Sequence, residues 1–167
     1  SASAEGKFSL HLLESWEFFG SLAFVGEPVQ RTTVEAVADC RVVKVPRIFL
    51  DRAMRLRPEV AFRALTLMEH RLVQHEELAG CLLPRRTEAR LAALLTILAD
   101  KYGTRSGGQR PMIDMRLTQR ELGAMIGSTR ESVSMAMNDL RRRWAIDVQR
   151  GRLILLSPEH LAEISRR

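Results

Sequence analysis

The sequence is poor in the residues on which disulfide-rich, metal-binding and membrane-spanning proteins depend. It contains two cysteines among 167 residues. Cys40 and Cys81 each lack a neighbouring Cys or a paired His, so their spacing predicts neither a disulfide framework nor a zinc site. No run of about 18 apolar residues occurs, which argues against a transmembrane helix, and the first ten residues lack the basic and then apolar order of a signal peptide. We therefore expect a cytoplasmic protein without a membrane partner.

Patterns that would support catalysis are also missing. No nucleophile stands beside a base, no pair of carboxylates falls in an apolar pattern, and no glycine-rich loop could cradle a phosphate. The histidines lack metal-ligand spacing; they are His11, His70, His75 and His160. The sequence favours a binding protein over an enzyme.

Positive charge is concentrated in the C-terminal half of the chain. The sequence carries 26 Lys and Arg against 20 Asp and Glu, a formal net charge of +6. Residues 1–83 hold 10 of these cations and 11 of these acids, a net charge of −1, which leaves residues 84–167 with 16 and 9, a net charge of +7. A local excess of cations is what the neutralisation of phosphates requires, and it predicts binding that weakens as salt rises.

Residues 117–127 predict a short helix with a defined start and end. Thr118, followed three residues later by Glu121, has the capping-box pattern, in which a hydroxyl and a carboxylate each accept a hydrogen bond from a backbone N–H at a helix start. Gly127 is the residue type that ends a helix at positive φ. The apolar face between them consists of Leu122, Met125 and Ile126.

A second helix follows directly, so the pair has the pattern of a helix-turn-helix. Its N-cap is either Ser128 or Thr129, and Gly123 has no side chain to hold the two helices apart. The inward face is expected to comprise Val133, Ala136, Met137 and Leu140, and the outward face Arg130, Glu131, Ser134, Met135, Asn138, Arg141 and Arg142. A helix that projects in this way can enter the major groove of DNA.

The front of the second helix carries groups that suit base edges. Arg130 offers two parallel N–H donors for guanine O6 and N7, and Glu131 can accept a hydrogen bond from cytosine N4. Hydroxyls and the free amides of helix starts suit phosphate oxygens. The predicted DNA-binding residues are Thr118, Arg120, Ser128, Thr129, Arg130, Glu131, Ser134, Met135, Arg150 and Arg152.

This stretch resembles the DNA-binding motif of a known family. It reads LTQRELGAMI and then GSTRESVSMAMNDL, which is similar to the motif of the catabolite activator and fumarate-nitrate regulator (CRP/FNR) superfamily. The resemblance places the family's base-reading Arg and Glu on Arg130 and Glu131, and its phosphate-binding hydroxyls on Thr118 and Thr129. A further base-reading Arg falls on Met135, whose thioether cannot donate a hydrogen bond to guanine. The resemblance implies a dimer that binds a two-fold symmetric operator in double-stranded DNA and contacts RNA polymerase.

Residues 6–46 predict strands. Short β-prone runs occupy Lys7–Leu13, Thr32–Ala38 and Arg41–Val45, with Gly, Pro and Asp between them. The stretch from Glu17 to Arg47 resembles the second half of the effector-binding β-roll of the same superfamily. Because three strands cannot close a roll or cover their own edges, we expect either a fragment of a longer protein or a reduced sensor, and we favour the fragment.

The effector positions depart from the cyclic-nucleotide branch of the family. The Glu that binds the ribose there falls on Ser21, and the two hydroxyl residues that contact adenine fall on His75 and Glu76. The contact to the cyclic phosphate is retained in Arg31 and Thr32. This comparison argues against cyclic AMP.

The global nitrogen regulator branch, which senses 2-oxoglutarate, is more similar at these positions. It shares a Phe-Gly-x-Leu turn, a roll arginine matched by Arg31, and an Arg-x-x-x-x-Glu spacing matched by Arg71 and Glu76. Two arginines that face one pocket suit a dicarboxylate. We expect an effector like 2-oxoglutarate, and the alternatives are a regulator that needs no effector and a regulator that responds to a cyclic nucleotide. The predicted effector-binding residues are Phe19, Gly20, Ser21, Leu22, Arg31, Thr32, Arg71, His75 and Glu76.

A long helix is predicted after Pro58, a residue that suits a first helical turn, and a shorter helix precedes it at Arg47–Arg55. Apolar residues of the long helix recur at alternating spacings of four and three, which indicates a heptad seam. On this seam His75 is interpreted first as a polar residue that fixes register. The family's dimerisation helix lies here, so a homodimer is expected. The seam consists of Ala61, Leu65, Met68, Leu72, His75, Ala79 and Leu82.

Pro84 predicts a hinge to the C-terminal domain. Thr87 and Glu88 begin a helix that ends near Tyr102 and Gly103, and its apolar face comprises Leu91, Leu94, Leu95 and Leu98. A loop is predicted at Thr104–Gln109, a strand at Met112–Arg116, a wing-type hairpin at Ala145–Gln149 and Arg152–Leu156, and a last helix capped by Ser157 with Pro158 at its first position.

Together these predictions give an α+β chain. Residues 1–57 are assigned to the C-terminal part of a cyclic-nucleotide-binding-like β-roll, 58–83 to a dimerisation helix, and 84–167 to a winged helix-turn-helix domain. The function expected is sequence-specific, dimeric DNA binding with effector sensing. A rival of another class is a protein-docking module that reads no DNA.

Overall fold

The computed structural model describes residues 12–13, 15–20, 33–36, 38–104, 111–113, 117–149 and 151–166. The chain divides into two compact units, of which one spans Leu12–Arg71 and the other contains Leu72–Arg167. The described residues form an α+β structure, as predicted. In chain order the elements are α1 (Arg47–Leu56), α2 (Pro58–Gly80), α3 (Thr87–Tyr102), β1 (Gly103–Thr104), β2 (Met112–Ile113), α4 (Gln119–Ile126), α5 (Arg130–Arg142), β3 (Ile146–Gln149), β4 (Arg152–Leu155) and α6 (Pro158–Ser165).

The strands predicted near the N-terminus are not found among the described residues. Residues 12–13, 33–36 and 38–46 have no helix or strand, and the rest of Lys7–Leu13 and of Thr32–Ala38 lies outside the described part. Val42, Val43 and Val45 are 60%, 80% and 61% exposed. The strand prediction for Arg41–Val45 was therefore wrong, because β-prone composition yields a strand only where a neighbouring strand completes the hydrogen-bond ladder.

The long helix α2 begins at Pro58, as predicted, and ends at Gly80. The seam prediction reached two residues too far, since Leu82 follows the end of the helix. In the single chain the seam residues Leu65, Met68 and Leu72 are 60%, 39% and 59% exposed. An apolar stripe of this kind is what a helix presents when it packs against a partner.

The second unit closes a core around α3. This helix packs against α4, α5 and α6, and its four predicted core leucines are all at most 2% exposed. Every fully buried hydrophobic residue found in the described part of the chain lies between Leu78 and Ile164. The predicted apolar faces of α3, α4 and α5 are thereby confirmed.

Four short antiparallel strands cover one side of this core in the order β1, β2, β4, β3. The wing hairpin pairs Ile146 with Leu155 and Gln149 with Arg152, as predicted. The strand β1 was missed, because Thr104 was assigned to a loop; it instead pairs with Met112 of β2. A two-residue strand has no periodicity of its own, so its pairing depends on a partner eight residues away.

Candidate nucleic-acid interface

The first helix of the helix-turn-helix is fixed at its start by a complete capping box. The Thr118 Oγ1 accepts a hydrogen bond from the Glu121 backbone N–H at 3.2 Å, and the Thr118 backbone N–H donates to Glu121 Oε2 at 2.6 Å. Both bonds satisfy donors that a helix start leaves unpaired. The predicted cap is therefore confirmed, and it fixes where α4 begins.

The turn between the helices depends on two glycines. Gly127 adopts the left-handed conformation (φ 61°, ψ 42°) that ends α4, which costs a glycine little. Gly123 lies in α4 close to the turn that leads into α5. A Cβ added to it would stand 2.6 Å from the carbonyl oxygen of Ser128. The Ser128 backbone N–H donates to the Gly123 carbonyl at 2.9 Å. The absence of a side chain at Gly123 thus allows α5 to begin close against α4.

The second helix, α5, begins after Thr129. Thr129 is the N-cap, since its hydroxyl accepts a hydrogen bond from the Ser132 backbone N–H at 3.2 Å. Of the two N-caps predicted, Ser128 and Thr129, the structure therefore has Thr129. The inward residues are buried as predicted: Val133, Ala136, Met137 and Leu140. With that face packed on the core, the opposite face projects outward.

The predicted base-reading pair lies at the first turn of this projecting helix. Arg130 and Glu131 are both exposed, at the end where unpaired amides and the helix dipole favour anions. Thr118, Arg120, Thr129, Met135 and Arg152 are also exposed, Ser128 and Ser134 are half-buried, and Arg150 lies outside the described residues. The fold therefore brings most of the predicted DNA-binding residues to the two helix starts and leaves them accessible.

The C-terminal end of α5 differs from its start, because the arginines there are paired with carboxylates. Arg142 forms an ion pair with Asp139, and the Arg141 Nη2 lies 3.9 Å from Asp147 Oδ1. The Gln149 side chain and then the Val148 backbone N–H donate to the Asp147 carboxylate, and these bonds lower its pKa. Asp147 therefore stays charged beside Arg141. Exposed pairs of this kind contribute little stability, but they reduce the positive charge that this end offers to a phosphate.

Two arginines, Arg90 and Arg143, make contacts around the helix-turn-helix that sequence reasoning missed. The Arg90 Nε donates to the carbonyl of Pro84 at 2.7 Å, and its Nη1 donates to the carbonyl of Ile126, the last residue of α4, at 3.4 Å. The Arg143 Nε lies 3.3 Å from the largely buried Glu88 carboxylate. Arg90 and Ile126 lie 36 positions apart, and Arg143 and Glu88 lie 55 positions apart, so no local pattern could have revealed these two contacts.

The predicted effector residues are only partly described. Arg71 donates a hydrogen bond to the Phe18 carbonyl and stands 4.9 Å above the centre of the Phe18 ring. Phe19 is 43% exposed, Gly20 has φ 103°, and His75 and Glu76 are exposed. Ser21, Leu22, Arg31 and Thr32 lie outside the described residues. The contact of Arg71 with Phe18 was not foreseen.

Among the described residues, no three His, Cys, Asp or Glu side chains are grouped so that they could hold a metal ion. The helices of that same part are all too short or too polar to cross a bilayer.

Comparisons with known proteins agree with this geometry. The model of the Crp-like helix-turn-helix domain matches residues 89–164. A cAMP-activated, CRP-like global transcriptional regulator from Mycobacterium tuberculosis is 26% identical over 150 residues, which cover 90% of this chain and 66% of that protein. The global nitrogen regulator of Synechococcus elongatus is 28% identical over 159 residues, or 94% of this chain and 71% of the relative.

A solved structure gives the same result for the fold. A CRP/FNR-family transcriptional regulator from Thermus thermophilus superposes with a TM-score of 0.55 at 25% identity, covering 66% of this chain and 56% of that one. The chain thus spans between 56% and 71% of the length of these proteins. By its helix-turn-helix domain, its relatives and its fold, the chain is similar to transcription regulators of the CRP/FNR superfamily.

Proposed function

We propose that the protein is a dimeric, sequence-specific DNA-binding regulator of transcription. The observation that carries the proposal is the exposed pair of Arg130 and Glu131 at the start of α5, held outward by a helix whose opposite face is buried. A guanidinium and a carboxylate side by side suit guanine and cytosine in the major groove. The net charge of +7 on residues 84–167 supports binding to phosphates around that contact. Such a protein acts where DNA and RNA polymerase are present, so we expect it in the cytoplasm.

The exposed seam of α2 supports a homodimer. Two recognition helices related by a two-fold axis would contact half-sites about 34 Å apart, one turn of DNA. We therefore expect a symmetric operator and a footprint on one face of the duplex.

To test this proposal, an operator is selected from a random duplex library, and the affinity of the protein for that operator is measured as the salt concentration is raised. Arg130→Ala should weaken specific binding by about 1 to 3 kcal/mol and relax preference at one base step. The matched control is Arg142→Ala, which removes the same charge from the other end of the same helix, where the guanidinium is already paired with Asp139. A protein-docking module would give no sequence preference at any salt, and that outcome, or equal effects of the two substitutions, refutes the proposal.

For the sensor we propose a dicarboxylate effector such as 2-oxoglutarate. Arg71 is half-buried and bound to Phe18, so it is a cation held in a fixed place and suited to bidentate pairing with a carboxylate. Calorimetric titration should give saturable heat with 2-oxoglutarate, and this heat should be lost in Arg71→Gln but kept in Arg63→Gln, on the same helix. Heat with cyclic AMP instead would favour the cyclic-nucleotide alternative, and no heat with either would favour a regulator that needs no effector.

A further inference from the structure

One exposed residue on the recognition helix is chemically unlike its neighbours. The exposed residues of α5 are Arg130, Glu131, Met135, Asn138, Arg141 and Arg142. All of these are polar or charged apart from Met135, which is 64% exposed. A single exposed apolar side chain is common on protein surfaces, so its position decides whether it has a role.

Met135 lies on the same face of the helix as Glu131. The two residues are four positions apart, the spacing that places side chains one above the other. Four residues advance a helix by about 6 Å, close to two base-pair steps of about 3.4 Å each. If Glu131 contacts a base in the major groove, the thioether of Met135 reaches a base pair one or two steps away.

The major groove offers one apolar group to such a side chain. That group is the C5 methyl of thymine, since the other groups at base edges donate or accept hydrogen bonds. A thioether is a weak acceptor and no donor, and its flexible, polarisable chain adapts well to an apolar contact. We propose that Met135 is a specificity-determining residue that contacts the C5 methyl of a thymine within two base pairs of the pair read by Glu131. This inference rests on the proposed DNA binding and adds one base preference to it.

The test removes the methyl group alone. An operator is first selected from a random duplex library with the full chain, and each thymine is then replaced by uracil, which lacks only the C5 methyl. Loss of one buried methyl contact should weaken binding about fourfold for each half-site. One thymine near the pair read by Glu131 should give this loss, whereas other thymines should give none.

Protein variants assign the effect to Met135. Since the residue is exposed, Met135→Ala should fold normally, which its circular dichroism melt would confirm, and it should bind the thymine and uracil operators equally well. Met135→Leu keeps an apolar side chain and should keep the preference for thymine. Using the same pair of operators with both variants cancels any effect of uracil on the shape of the DNA.

The outcomes separate this inference from the proposed function. If the library yields no preferred sequence, the proposed DNA readout itself fails. If a sequence is enriched but no thymine gives a loss with uracil, or the loss persists in Met135→Ala, then DNA binding stands and the role of Met135 is refuted.

Discussion

The two units of this chain bury their apolar residues very differently. Between Leu78 and Ile164 the large hydrophobic side chains close a core around α3, whereas in the described part of Leu12–Arg71 no hydrophobic residue is fully buried. Phe62 and Leu65 are 70% and 60% exposed in α2, and Ile48 and Phe49 are 72% and 63% exposed in α1. The C-terminal unit is therefore stabilised by contacts within one chain, whereas the apolar stripe of α2 is left exposed among the described residues, as expected of a helix face that packs against a partner.

The largest effects are expected when the same substitution, leucine to alanine, is made in each of the two units. Leu95→Ala removes a side chain that is fully buried in α3 and should lower the free energy of unfolding by about 2 to 5 kcal/mol at every protein concentration. Leu65→Ala removes an exposed seam residue, and any loss should shrink as the protein is diluted, because it acts through a partner subunit. Urea unfolding at several protein concentrations measures both. A loss in Leu65→Ala that does not depend on protein concentration would mean that α2 packs against its own chain.

A substitution at Gly123 tests how tightly the closed unit is packed. In Gly123→Ala the new Cβ would meet the Ser128 carbonyl, a backbone atom, at 2.6 Å. Strain of this kind should cost about 1 to 3 kcal/mol, and it should also weaken operator binding, because α5 would have to shift. The matched control is Gly80→Ala at the end of α2, where no heavy atom lies within 4 Å of the new Cβ; there the helix should be unchanged or up to about 1 kcal/mol more stable. Similar losses in both variants would contradict the assigned role of Gly123.

A smaller effect is expected at the helix start. Thr118→Ala removes the hydroxyl that accepts the Glu121 backbone N–H, and loss of a cap costs about 1 kcal/mol. Thr118→Ser keeps the hydroxyl and should unfold at nearly the wild-type temperature. A thermal melt in which the serine and alanine variants behave alike would show that the capping box contributes no measurable stability here.

The same contrast explains which features could be predicted from the sequence. Three helix ends follow local rules and were predicted correctly. They are the N-caps at Thr118 and Ser157, whose side chains act within three residues, and the helix end at Gly127. The strand at Arg41–Val45 was predicted wrongly and the strand at Gly103–Thr104 was missed, since a strand depends on partners that local composition does not contain. The hydrogen bond from Arg90 to the Ile126 carbonyl spans 36 positions, so it also could not be predicted from a local pattern. For the candidate site, residue types and spacing gave the exposed face of α5, but they gave neither the contacts of Arg90 nor the pairing of Arg141 and Arg142.

The smallest expected effects concern the two cysteines, which lie one in each unit. Cys40 is exposed, whereas Cys81 is 1% exposed and its Sγ–H donates to the Glu77 carbonyl. Burial, and then the Glu77 carboxylate, raise the pKa of the Cys81 thiol from 9.0 to about 11. Because the thiolate is the reactive form, iodoacetamide at pH 8 should label Cys40 in the folded protein and both cysteines in urea. Equal labelling without urea would mean that the C-terminal unit does not seal its core around Cys81.

The raised pKa of Cys81 also predicts how stability depends on pH. Above pH 9 the unfolded chain loses the thiol proton while the folded chain retains it, so the unfolded state binds fewer protons and stability falls as pH rises. The contribution of Cys81 is thus fully present below pH 9 and is lost between pH 9 and about pH 11. Urea unfolding across this window should show a shallower decline in Cys81→Ala than in the wild type, with Cys40→Ala as the control that keeps the wild-type slope. If Cys81→Ala retained the full decline, the thiol would not be the group whose proton stabilises the folded unit.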